Sequence, residues 1–202
     1  MSTFWSRMKQ LFADNPAPRY GEEARGRDAG TLEGDDLSPA ELAGLGALVE
    51  LLAARLGPER AVALAEQSIQ AAERDMGAAA AFASGTNTNA DFALSVYLDW
   101  DGQEETEWQI NRVLETLELA DRWRWEPDVT GRSMTATFKA LEDWLAERGY
   151  HVWHVKTDGD DALLFPVARE NMAAAEQLAG QFGMRLFTLA ESKPYYGELT
   201  TR

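Results

Sequence analysis

The segment Tyr150–Val167, YHVWHVKTDGDDALLFPV, decides how the chain folds. Tyr150–Lys156 and Ala162–Val167 are rich in β-branched and aromatic residues, and between them lies Asp158-Gly159, a strong short-range signal for a hairpin turn. Two neighbouring antiparallel strands are expected. The same segment holds the only two histidines, His151 and His154, close to Asp158, Asp160 and Asp161, so a metal or catalytic site competes with plain architecture. Strand geometry separates the two possibilities: side chains alternate, so a spacing of three sends the two imidazoles to opposite faces, where they cannot share one ion. Zinc would need three or four ligands, and no His–carboxylate set at helical spacing supplies them. The aspartates lack the DxDxDG order and distal glutamate of a calcium loop and are read as turn residues.

Upstream, Phe92–Trp100 (FALSVYLDW) alternates, with Phe92, Leu94, Val96, Leu98 and Trp100 on one side and Ala93, Ser95, Tyr97 and Asp99 on the other. This predicts a half-buried strand. Glu104–Leu119 places Ile110, Val113, Leu114 and Leu117 on one helical face, and Thr135–Arg148 does the same with Phe138, Leu141 and Leu145 before Gly149. Downstream, Glu170–Phe182 predicts a helix stopped by Gly183, and MRLFTL (Met184–Leu189) a final strand. The order strand, helix, helix, strand, strand, helix, strand predicts an α+β domain over 90–190. Its expected form is a ferredoxin-like antiparallel sheet with an extra helix in the first crossover. Pro166 sits awkwardly in it, because the third strand is interior and proline lacks a ladder donor.

The N-terminal half is simpler. In LSPAEL, Ser38 is the expected N-cap, Pro39 the first helical residue and Glu41 the reciprocal partner of a capping box. A helix to Gly57 and a second from Pro58, with Ala61, Leu64, Ala65, Ser68, Ile69 and Ala72 inward, form a helical hairpin over 38–83, and the polar SGTNTNAD stretch ends it. Residues 14–37 are a linker almost without large apolar side chains. Residues 1–13 carry Phe4, Trp5, Met8, Leu11 and Phe12 at helical spacing, an amphipathic segment read as docking on a protein surface or as a frayed end. Its two cations support no stable membrane association. Residues 191–202 are read as a tail.

Several residue groups, LDWDG, EETEWQI, WLAERGYHVWHV, GDDALLFPV and LAGQFGMRL, resemble a family of uncharacterised bacterial proteins, a domain of unknown function, over about Phe92–Leu189. That resemblance implies a fold and no activity. From WLAERGY to FGMRL the chain also resembles the ferredoxin-like regulator of ribonuclease E, which implies an acidic protein that binds an enzyme.

The 202 residues include 19 Lys and Arg, 34 Asp and Glu and no cysteine, for a formal net charge of −15. Such a surface repels a polyanion, so nucleic acid is not an expected partner and a basic protein is. Without cysteine there is no thiol redox chemistry, disulfide or Cys-based metal site. No apolar run reaches the roughly 20 residues that cross a bilayer, and a cytoplasmic location is expected. GxSxG and Walker patterns are absent, no cofactor is implied, and the acid pairs Glu104/Glu105 and Glu142/Asp143 are read as exposed helix charges.

Two surfaces remain. Trp108 falls opposite the apolar stripe of its helix, and Trp123 and Trp125 lie on one side of the extended RWRWEP stretch; these are core residues or, if exposed, anchors for a partner or a platform for a ligand. If Trp153 and Val155 join Val96 and Leu98 beneath the helices, the opposite sheet face carries Ser95, Tyr97, Asp99, His154 and Lys156. Covering of that face by the N-terminal helices or by a second copy, in a homodimer, is expected ahead of ligand binding, and ligand binding ahead of catalysis. The expected function is therefore a non-enzymatic cytoplasmic binding or regulatory protein presenting an acidic, Trp-containing surface to a protein partner. The alternative is a small hydrolase or isomerase-like enzyme using Tyr97, Asp99, His154 and Lys156 on an open sheet face.

Overall fold

The computed structural model describes residues 37–72, 77–87, 92–98, 105–126, 133–157 and 161–191. The expected amphipathic segment, the linker up to residue 36, the tail from 192, Asp99, Trp100 and the Asp158–Asp160 turn lie outside the described residues.

Ser38 caps α1 (Pro39–Leu52) as expected: its hydroxyl accepts from Glu41 N, while the Glu41 carboxylate accepts from Ser38 N at 2.8 Å. A 3₁₀ turn (Ala54–Leu56) leads to Gly57, whose φ of 87° ends it before α2 (Pro58–Ala71). The SGTN stretch differs from expectation. It belongs to a third helix, α3 (Gly77–Asn87), because Ser84 Oγ and Thr86 Oγ1 donate back to Ala81 O and Phe82 O and so satisfy their hydroxyls within the helix. At Gly85 a Cβ would lie 2.6 Å from Ser68 O, so α3 meets α2 at a contact that only glycine allows.

The rest comprises β1 (Val96–Leu98), α4 (Thr106–Thr116), α5 (Met134–Ala146), β2 (Tyr150–Val155), β3 (Ala162–Ala168), α6 (Met172–Gln181) and β4 (Leu186–Phe187). This mixed α+β unit has a four-stranded antiparallel sheet in the order β1-β3-β2-β4. The hairpin register runs from Tyr150 opposite Ala168 to Val155 opposite Leu163, and Val96 opposite Leu164 adds β1. Two helices occupy the first crossover, as the sequence indicates.

The ferredoxin-like order does not form. In that arrangement the last strand lies beside the first, whereas here β4 pairs with β2, His154 opposite Phe187. The outer edge of β1 is already occupied. Gln109 of α4 accepts from Tyr97 N at 2.8 Å and donates to Tyr97 O at 2.7 Å, so its carboxamide fills the position of a neighbouring peptide. Asn87 Nδ2 donates to the same Oε1 at 3.0 Å. The strand is also shorter than expected: Leu94 N donates to Thr86 O of α3 at 2.8 Å and is turned away from the sheet.

Closing on the far edge relocates a layer. β1 and β2 are parallel across β3, and β3 and β4 are parallel across β2 but run the opposite way. Right-handed crossovers then place α6 on the face opposite α4 and α5. The packing agrees: Phe138 of α5 meets His154 on one face, while on the other Phe82 of α3 meets Phe165 of β3, and α1 lies against the end of α6, where a Cβ on Gly44 would be 3.3 Å from Phe182 N. The sheet is buried on both sides, and Ala162–Val167 are buried without interruption.

Pro166 fits this plan. Because Tyr97 turns its backbone away from β3, ladder alternation directs Leu163, Phe165 and Val167 toward β2, and Pro166 toward the side where β1 has ended. Its missing donor is not needed there.

Gln109→Leu should remove both partners of the half-buried Tyr97 backbone, costing about 1–3 kcal/mol in total, with urea unfolding as the measurement. A change below about 0.5 kcal/mol would show that the clasp contributes little.

Candidate functional site

The register separates the expected acid–base cluster. Val96, Leu164, His154 and Phe187 stand in one cross-strand row, and Tyr97, Leu163, Val155 and Leu186 in the next, so His154 and Tyr97 project from opposite faces. Trp153 and Val155 therefore share the Tyr97 side, not the Val96 side. The expectation failed because β1 and β2 are not neighbours: their relative parity passes through β3. The Tyr97 side is covered by the N-terminal helices, with Ser95 Oγ and Thr86 Oγ1 of α3 2.6 Å apart. Lys156 is exposed and donates its backbone N–H to Arg185 O at 2.9 Å. Tyr97, His154 and Lys156 thus do not converge, and no open polar sheet face unites them.

His154 has its own setting. It is fully buried beneath α5, 5.5 Å from the Phe138 ring and stacked on Phe187 at 5.7 Å, and its Nε2 lies 3.0 Å from Glu142 Oε1. Glu142 was expected to be an exposed charge like Asp143, yet its side chain is 23% exposed against 64% for Asp143, which pairs with Lys139 instead. The signal was present: Glu142 lies four residues after Phe138, on the flank of the buried stripe. An imidazole held between two phenylalanines and a carboxylate positions helix on sheet. His151 projects from the other face, so the two histidines do not form a common metal site, and among the described residues no group of three or more potential ligands gathers.

The tryptophans divide. Trp123 is core at 3% exposure, its backbone clasped by Asn111, which donates to Trp123 O at 2.9 Å and accepts from Trp123 N at 3.0 Å. Trp125 is half-buried; its N–H donates to Glu107 at 2.9 Å and its indole to Thr137 Oγ1 of α5 at 3.2 Å. Trp108, on the outer side of α4, is 50% exposed. Among the described residues only Val62, at 43%, is a comparably exposed large apolar side chain. The Arg112 guanidinium stands 5.3 Å from the Trp108 ring centroid and donates to Phe92 O at 3.3 Å. Burial lowers the Arg112 pKa from its ordinary value and nearby Glu115 partly restores it. Glu105 and Glu115 lie at helical spacing on the same outer stripe, and both are exposed.

A family model described as a domain of unknown function, DUF6630, matches residues 44–190, and the chain belongs to that family. The match extends the resemblance seen in the sequence back into α1. No curated protein and no solved structure matches the chain.

Replacing Glu142 with leucine removes the carboxylate facing His154 Nε2 and should destabilise the fold by about 1–3 kcal/mol in urea unfolding. Glu142→Gln, which retains an acceptor, should recover most of the loss, and Asp143→Leu should lie within about 0.5 kcal/mol of the parent.

Proposed function

We propose that the protein is a non-enzymatic binding or regulatory domain, acting in the cytoplasm, that presents an acidic surface anchored by Trp108 to a protein partner. The observation that carries this reading is the half-exposed indole held in place on a rigid helix. Tryptophan is enriched among residues that dominate binding energies, since it buries a large area for the loss of few rotamers. The Arg112 contact and its tether to Phe92 O restrain the ring before any partner arrives, which lowers the entropy lost on docking. α4 is itself fixed, by Gln109 to β1 and by Glu107 and Asn111 to the 123–125 segment. Glu105 and Glu115 flank the indole, and the formal net charge of −15 favours a basic partner while making two copies repel. No helix among the described residues is long and apolar enough to cross a membrane.

The test is quantitative binding to a partner recovered with the intact chain. Trp108→Ala should weaken binding at least tenfold, a loss above about 1.4 kcal/mol, without lowering the thermal midpoint, because the ring faces outward. Glu105→Lys with Glu115→Lys should slow association and flatten its salt dependence. Unchanged affinity in Trp108→Ala would reject the anchor.

A further inference from the structure

Two neighbouring polar atoms on β2, His151 Nε2 and Trp153 Nε1, are buried without a hydrogen-bond partner. Their rings meet edge to face, with centroids 4.7 Å apart and planes at 80°. His151 pairs with Val167 and Trp153 with Phe165, whose ring packs on Phe82 of α3, so both side chains belong to the face that the N-terminal helices cover. An indole N–H only donates. A neutral imidazole with its proton on Nδ1 presents a bare acceptor at Nε2, and the site tolerates this at the loss of one hydrogen bond. A protonated imidazole places a second orphan donor, carrying charge, beside the first.

We propose that His151 is an acid-sensitive latch: when neutral it seats the first half of β2 beneath the N-terminal helices, and protonation loosens that contact. The charged and titratable groups whose fields reach it are Glu142 of α5 and His154, both on the other side of the sheet, and Arg169 from the turn after β3. Burial, the largest influence, holds the His151 pKa below its ordinary 6.5; Glu142 acts against this, while His154 and Arg169 reinforce it. As the pH falls, the unfolded chain therefore binds the proton first. Stability is fully present above pH 6.5 and declines below it, until the folded protein protonates as well.

The chain has only two histidines, so imidazole proton NMR on the intact protein resolves both, and His151→Phe assigns them. The His151 midpoint should fall below 6.5. Between pH 7.5 and 5.5 the wild type should lose more urea resistance than His151→Phe. Amide protection factors, corrected for intrinsic exchange, should fall in α1, α2 and α3 in the wild type only. A His151 midpoint at or above 6.5, or the same acid loss in both proteins, overturns the proposal. Should His151→Phe fail to fold, His151→Gln, which is polar but does not titrate, replaces it with the same expected outcome, and the wild-type midpoint decides independently of any variant.

Discussion

The carboxamide of Gln109 against the Tyr97 backbone is the contact from which the rest of the architecture follows. An edge strand with free N–H and C=O groups invites another strand. By satisfying both groups with one side chain, α4 closes the β1 edge, and β4 attaches beside β2. The right-handed crossover then places α6 on the face that α1 and α3 cover, and the sheet lies between two helical layers. The burial of both sides of β2 and β3, and the stacking of Phe187 on His154, are consequences of that edge.

α4 works in two directions through residues two apart. Glu107 and Asn111, four residues apart, share a side and hold the 123–125 backbone, while Gln109 between them faces β1. Side-chain amides and carboxylates here replace ladder hydrogen bonds that an extended segment would otherwise seek from another strand. This is how a sheet whose end strands have two and three residues remains ordered.

Much of this was legible locally. The capping box at Ser38, the stop at Gly57, the Tyr150–Val167 hairpin and the alternation that parts His151 from His154 depend on neighbouring residues and were readable. The pairing of strands distant in sequence was not. Val96 shares a row with His154 only because both oppose Leu164, and alternation within one strand says nothing of its phase relative to another. β2 also gave a false cue, since Val152, Trp153, His154 and Val155 are all buried and the pattern of one wet face was missing. Trp108 and Trp123 differ in exposure for a similar reason: helical spacing set Trp108 outward, but only Asn111 explains why the RWRWEP stretch turns Trp123 into the core.

Pro166 gives the sheet a direction in which it does not grow. The residue that would extend β1 across from it is Leu94, and antiparallel pairing there would require an amide hydrogen that proline lacks. Leu94 has engaged Thr86 instead. One imino acid in an interior strand thus acts as a ruler for its neighbour: any relative that replaces it with an ordinary residue regains the missing rung, and with it the freedom to lengthen its first strand at the expense of the junction with α3.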